Sequence, residues 1–167
     1  YTPFDQIVLD PELTLTVPTN QWFYTGMDTY IHCIESESGR LYNAFSKAYG
    51  DQALTLCREV YLGSNSGQNM ENAEKLMVAS YFGGLSLSYS EVGVCHALSY
   101  GLSYVLGTRH GIGNCIAFNV LDEYYPDAIV EFREMINKHH IDLPVKMSAH
   151  WTDEQVTKMA EISYALS

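Results

Sequence analysis

The stretch VGVCHALSYGLSYVL, residues 92–106, decides the fold because it is apolar on nearly every side and contains no Asp, Glu, Lys or Arg. A helix that is apolar all round belongs in the centre of a bundle, where other helices cover it. Gly107 follows directly and ends the segment, since glycine readily closes a helix. We therefore expect several further helices packed around this one.

The rest of the chain shows helical periodicity, with apolar residues recurring every three to four positions. Loop signals divide it at Gly63–Gly67 and at Leu143-Pro144, and Pro18-Thr19-Asn20 predicts a stop and a cap before the first helix. The predicted fold class is therefore all-α, a helical bundle. The predicted helices cover Gln21 to about Glu37, Arg40–Leu62, Asn69–Ser88, Val92–Leu106, His110–Tyr125, Asp127–His140 and a last helix capped by Thr152-Asp153-Glu154.

The amino terminus has a different pattern. Gln6-Ile7-Val8-Leu9 is strand-like and precedes Asp10-Pro11. A lone strand has unpaired backbone groups and needs a sheet to join. Because the first residue is Tyr1 and both ends look cut, we expect residues 1–18 to be a crossover strand and linker from an α/β domain outside this sequence. Residues 19–167 are then a helical domain truncated at its carboxy end.

Composition excludes several classes of function. The formal net charge of -11 argues against a nucleic-acid partner, which needs clustered Lys and Arg. No apolar run is long enough to span a bilayer, and no basic-then-apolar leader opens the sequence. The four cysteines form no C-x-x-C pair and sit in apolar helical patterns, so we expect buried free thiols in a reducing cytoplasm.

Asp28 and His32 are the first candidate site residues. They lie four residues apart on one predicted helix, so both side chains point the same way. Their neighbours are aromatic and apolar, and no Lys or Arg lies nearby in the sequence, so a buried carboxylate here needs a counter-charge. A metal ion would satisfy both groups, whereas an exposed Asp–His surface pair is the alternative.

His96 and His110 supply two further imidazoles. His96 lies in the most apolar helix, and His110 follows a short turn at a helix start, so their helices must pack near each other. Taken singly, each has a structural alternative, a core histidine and a capping-region histidine. Three nitrogens and one carboxylate oxygen suit Zn²⁺ or Fe²⁺. Glu35, one turn beyond His32, is interpreted either as an acceptor that orients a ligand or as a solvated carboxylate.

These motifs resemble those of the iron-containing (group III) alcohol dehydrogenases. Gly26-x-Asp28-x-x-x-His32-x-x-Glu35 is similar to that family's first metal motif. The second corresponds to Gly93-Val94-Cys95-His96-Ala97-Leu98 with Arg109-His110-Gly111-x-Gly113-Asn114. The opening Val8-Leu9-Asp10-Pro11-x-Leu13 resembles the crossover from the family's nucleotide domain. The resemblance covers nearly all of the chain and implies that Asp28, His32, His96 and His110 hold one divalent ion.

The resemblance also implies a domain plan. Family members pair an amino-terminal dinucleotide-binding domain, which carries a Gly-Gly-Gly-Ser phosphate motif, with a helical, dehydroquinate synthase-like metal-binding domain. That motif is absent here. Residues 19–167 would therefore be the metal-binding domain, inactive alone, with NAD or NADP bound mainly by the other domain. The resemblance further implies a cytoplasmic homo-oligomer with no membrane partner.

One position departs from the family pattern. Many members carry a histidine one turn after the third ligand, thought to relay protons or touch substrate, and here that place is Tyr100. Tyrosine donates and accepts hydrogen bonds, but its ordinary pKa is near 10. Tyr100 is therefore either a catalytic hydroxyl or a core hydroxyl bonded to a carbonyl.

The expected activity is metal-assisted oxidation of a primary alcohol with transfer of a hydride to nicotinamide. Residues 100–104 and 110–119 are most similar to the family enzymes that oxidise the 8-hydroxyl of 3-deoxy-manno-octulosonate, a sugar acid of bacterial lipopolysaccharide. A general alcohol dehydrogenase or aldehyde reductase of the same family is the alternative. Outside this class, a helical module with a structural metal or none, and a non-catalytic relic, remain open.

Overall fold

The computed structural model describes residues 5–165. Residues 1–4 and 166–167, which include the ends of the predicted linker and of the last predicted helix, lie outside the described part. Seven α-helices follow a short 3-10 helix at Pro11–Thr14. They are α1 (Thr19–Ser38), α2 (Ala44–Leu62), α3 (Met70–Ser88), α4 (Val94–Leu106), α5 (His110–Phe118), α6 (Pro126–Lys138) and α7 (Asp153–Ala165). The predicted all-α class is confirmed.

Residues Gln6–Leu9 pair with no strand within the described chain, so the crossover strand, predicted to join a sheet outside this sequence, stays a prediction. Their backbone groups have no neighbouring strand to bond. Asp10 instead caps the 3-10 helix, its Oδ1 accepting from the N–H of Glu12 at 3.1 Å, with Pro11 in the first helical position.

A side-chain cap shifts the predicted start of α2. Helix α2 begins at Ala44, not Arg40, because Asn43 accepts hydrogen bonds from the N–H groups of Phe45 and Ser46, and the Ser46 hydroxyl accepts one from the N–H of Asn43. The predicted cap before α1 is wrong as well. That helix begins at Thr19 directly after Pro18, and no side chain caps it.

Helix α5 ends at Phe118, seven residues before the predicted Tyr125. The guanidinium of Arg133 donates to the side-chain and backbone oxygens of Asn119, at 3.1 and 2.6 Å, and holds the chain in a turn there. Pro126 then occupies the first position of α6, where its missing N–H is not needed.

Helix α1, not α4, contains the most buried residues. It contacts α2, α3, α4 and α5, and its Phe23, Met27, Tyr30 and Ile31 are fully buried. Helix α4 lies against α5 and α7, and although its first half is buried, Tyr104 is 63% exposed. Within residues 5–165, no helix combines the length and apolarity needed to cross a bilayer.

Candidate metal centre

Three helices bring the four predicted ligands together. Asp28 and His32 lie one turn apart on α1, His96 is in the first turn of α4, and His110 opens α5. One ligand atom from each lies within 4.8 Å of all the others. The Asp28 Oδ1 atom is 3.2 Å from His96 Nε2 and 3.5 Å from His110 Nε2, and the rings of His32 and His96 stack with centroids 4.2 Å apart.

Two glycines permit this convergence. A Cβ at Gly111 would lie 2.9 Å from the Tyr24 carbonyl oxygen, so a glycine lets α5 approach the backbone of α1 beside Asp28. A Cβ at Gly93 would lie 2.8 Å from both Glu35 Oε1 and the Tyr125 hydroxyl. Glycine at that position leaves room for Glu35 to reach the start of α4.

Glu35 is 1% exposed, so the solvated-carboxylate interpretation is wrong. Its Oε2 is hydrogen-bonded to Nδ1 of His96, and its Oε1 accepts from the N–H of Cys95 at 2.6 Å and from the Tyr125 hydroxyl at 3.3 Å. A carboxylate on Nδ1 keeps a proton there and directs Nε2, the nitrogen that could bind a metal, toward Asp28.

The charges of the cluster favour a cation. Burial alone would raise the pKa of both Asp28 and Glu35, but the hydrogen bond to His96 holds both below their usual range. The charges of the nearby imidazoles add to this at Asp28, and backbone N–H groups at Glu35. Burial and the neighbouring His96 lower the pKa of His32 to about 4, which leaves that ring neutral. Burial would lower the pKa of His96 also, but the hydrogen bonds that its ring donates to the two carboxylates raise it to about 9.

The donor set fits a divalent ion. For bonds of about 2.0–2.1 Å at tetrahedral angles, ligand atoms stand about 3.4 Å apart, close to the 3.2 and 3.5 Å found around Asp28. The side chain of His96 is fully buried, whereas that of His110 is 44% exposed. The cluster is therefore closed on the α4 side and open to solvent beside His110.

Comparison with known proteins assigns the family. Residues 22–166 match the family model described as "Fe-containing alcohol dehydrogenase family, C-terminal". The chain belongs to the iron-containing alcohol dehydrogenase family. This iron-containing alcohol dehydrogenase domain is 30% identical over 112 residues to the NADPH-dependent butanol dehydrogenase of Clostridium saccharobutylicum, covering 67% of this chain and 29% of that protein.

Further relatives extend the likeness. The NAD-dependent methanol dehydrogenase of Bacillus methanolicus is 30% identical over 122 residues, 68% of this chain and 32% of that protein. The iron-containing alcohol dehydrogenase of Thermococcus thioreducens superposes with a TM-score of 0.74 at 20% identity, covering 93% of this chain and 47% of that chain. Sulfoacetaldehyde reductase from Bifidobacterium kashiwanohense, in complex with NAD+, gives 0.72 at 22% identity, covering 92% and 46%. The chain thus spans about a third of these curated relatives and half of these solved chains.

Tyr100 of this iron-containing alcohol dehydrogenase domain lies at the open side of the cluster. Its ring stacks on that of His110, with centroids 5.7 Å apart and planes at 15°. It is partly exposed, and burial together with the charges of Asp28 and Glu35 raises its pKa above the usual value. Leu98 and Leu102, on either side of Tyr100 along α4, line a cavity of about 390 Å³ with Trp151.

The structure also brings in residues to which the sequence assigned no role. Asn114 lies one turn after His110 on α5, and its amide nitrogen contacts the ligand atoms of Asp28, His96 and His110. Its spacing of four from His110 was a usable signal, since such residues share a helix face. The hydroxyl of Tyr125 had no such signal, because its contact with Glu35 joins segments distant in sequence.

Proposed function

We propose that this chain supplies the metal-binding half of an NAD(P)-dependent alcohol dehydrogenase that oxidises a primary alcohol. Membership of the family supports the reaction class, and the names of its relatives include butanol, methanol and 1,3-propanediol dehydrogenases. The observation that carries the proposal is the convergence of one carboxylate and three imidazoles beside an opening to solvent. Residues 1–18 would connect this half to the nucleotide-binding domain, and residues 19–167 would form the metal-binding domain.

We assign the residues the following roles. Asp28, His32, His96 and His110 would hold the ion, which when bound supplies Lewis-acid polarisation of the substrate hydroxyl, while NAD or NADP from the other domain accepts the hydride. Fe²⁺ and Zn²⁺ both suit this donor set. Glu35 keeps His96 in the tautomer whose Nε2 faces the ion site. The ring of Tyr100 stacks on that of His110. In this role, its hydroxyl would hydrogen-bond to an oxygen of the substrate.

Two substrate classes are candidates. Similarity of residues 100–104 and 110–119 to the octulosonate-oxidising enzymes supports the 8-hydroxyl of 3-deoxy-manno-octulosonate, in lipopolysaccharide sugar synthesis. The names of the relatives favour short alcohols or aldehydes as the second candidate. Four free, buried cysteines fit the reducing cytoplasm we propose as the compartment.

Turnover by the full-length enzyme tests the proposal. With Fe²⁺ or Zn²⁺ and either nicotinamide, we expect oxidation of the octulosonate or of 1-butanol, and the ratio of kcat/KM values separates the two substrates. His110→Ala should lose most of the activity, while His150→Ala, which changes an exposed histidine outside the cluster, should keep it. Equal activity of the two variants contradicts the proposal.

Metal removal separates a catalytic ion from a structural one. After chelation, we expect activity to be lost while the far-ultraviolet circular dichroism of the helices remains, since the seven helices share a core of their own. A structural metal would instead be required for folding, so loss of the helical signal on chelation identifies a structural site.

A further inference from the structure

The amide of Asn114 stands among the ligand atoms. Its side chain is fully buried, and its Nδ2 lies 3.0 Å from His96 Nε2 and 3.1 Å from His110 Nε2. The same nitrogen donates a hydrogen bond to Asp28 Oδ1. One neutral side chain therefore contacts ligands from α1, α4 and α5, the three helices that build the cluster.

Only one of these three contacts is compatible with a bound ion. An amide nitrogen can only donate hydrogen bonds. When an imidazole Nε2 gives its lone pair to a metal, it can no longer accept from Asn114. The carboxylate of Asp28 keeps spare lone pairs while it ligates, so it can bind the ion and accept from Nδ2 at once.

The other end of the amide indicates that this arrangement serves the site and not the fold. Within the described chain, Oδ1 of Asn114 is buried and accepts no hydrogen bond. A buried polar atom without a partner is unfavourable for stability. An apolar residue of the same size would avoid that penalty, and an aspartate would repel Asp28 and could not donate.

We propose that Asn114 is a positioning residue that holds the Asp28 carboxylate against the ion site and keeps the three helices in register for metal binding. This inference rests on the proposed function. It adds that the metal affinity depends on an uncharged side chain that binds no metal itself. Partners that orient metal ligands typically change metal affinity by about 10–100-fold when removed.

The matched variants are Asn114→Leu and Asn72→Leu in the full-length protein. Asn72 is also a buried asparagine, but its amide donates to the carbonyls of Asn65 and Gly67 in the loop before α3, away from the ligands. Zn²⁺ affinity is measured by competition with a chromophoric chelator, the Co²⁺ site by its visible absorption, and fold stability by thermal melting of the metal-free protein.

For Asn114→Leu, we expect Zn²⁺ affinity to fall about 10–100-fold and the Co²⁺ spectrum to change, with melting of the metal-free protein near that of the wild type. Asn72→Leu should lower the melting temperature and leave the affinity within about twofold of the wild type. If Asn114→Leu binds Zn²⁺ as tightly as the wild type does, or if Asn72→Leu loses as much affinity, the positioning role of Asn114 is overturned. The proposed function is not affected by either result. Wild-type protein that binds neither ion overturns the proposed function and this inference with it.

Discussion

Replacing Glu35 by glutamine perturbs the metal centre without changing its size. In the wild type, the two oxygens of Glu35 accept from Nδ1–H of His96, the N–H of Cys95 and the Tyr125 hydroxyl. Glutamine offers one oxygen and one NH₂ group. Whichever way the amide turns, either the imidazole or the backbone N–H faces a donor instead of an acceptor.

The magnitude follows from that mismatch. A buried donor left without an acceptor costs about 1–3 kcal/mol. If the N–H of Cys95 keeps the oxygen, the mismatch falls on His96, which loses its carboxylate and its fixed tautomer. A loss of about 1.4–2.8 kcal/mol corresponds to a metal affinity about 10–100-fold weaker, the usual range for removing such a partner.

The assay is chelator competition with Zn²⁺ for the wild type, Glu35→Gln and Glu37→Gln. Glu37 lies two residues along the same helix, and its charged neighbour is Lys47 at 4.0 Å, not a ligand. We expect weaker binding in Glu35→Gln and wild-type binding in Glu37→Gln. Affinity in Glu35→Gln within about twofold of the wild type would refute the role assigned to Glu35.

Three further outcomes follow from the packing and charges. Tyr30→Phe removes a 2.5 Å hydrogen bond to Glu131 and should lower the free energy of unfolding in urea by about 1–2 kcal/mol; a loss below about 0.5 kcal/mol contradicts this. Gly111→Ala forces a Cβ against an α1 carbonyl and should lower the free energy of unfolding by about 1–3 kcal/mol. At Gly84 an added Cβ meets open space, so Gly84→Ala should raise that free energy by about 0.5–1 kcal/mol. Burial lowers the pKa of the His139 imidazole below its ordinary value near 6.5. The unfolded chain therefore takes up a proton at a higher pH than the folded chain does. The stability that neutral His139 contributes is complete above pH about 6.5 and is lost as the pH falls toward the pKa of the folded state. His139→Gln should therefore flatten the fall in unfolding free energy between pH 7.5 and 5, and an unchanged slope contradicts this.

Features that depend on local spacing were predictable from the sequence. Asp28 and His32 share a face because they are four residues apart, and a short turn after Gly107 returns the chain from α4 to His110. The apolar run at 92–106 likewise predicted α4, observed at Val94–Leu106, and the loop at 63–67 predicted the break between α2 and α3. Each of these features depends on residues that are close together in the sequence, so it does not depend on which distant segments pack against it.

Features that depend on distant partners were not predictable in the same way. Helix α5 stops early because Arg133, fourteen residues later, bonds Asn119. Glu35 lies one turn from His32, yet it bonds His96 on another helix. Residues 6–9 have strand-forming side chains, but a strand needs a partner, and the predicted partner sheet belongs to a domain outside this sequence.

Anomalous X-ray scattering from the full-length protein at the iron and zinc edges would show whether the four side chains hold one cation. We expect a single peak within about 2.0–2.3 Å of ligand atoms from Asp28, His32, His96 and His110. In protein never exposed to chelator, the absence of any ion within that distance of at least three of these residues would contradict it.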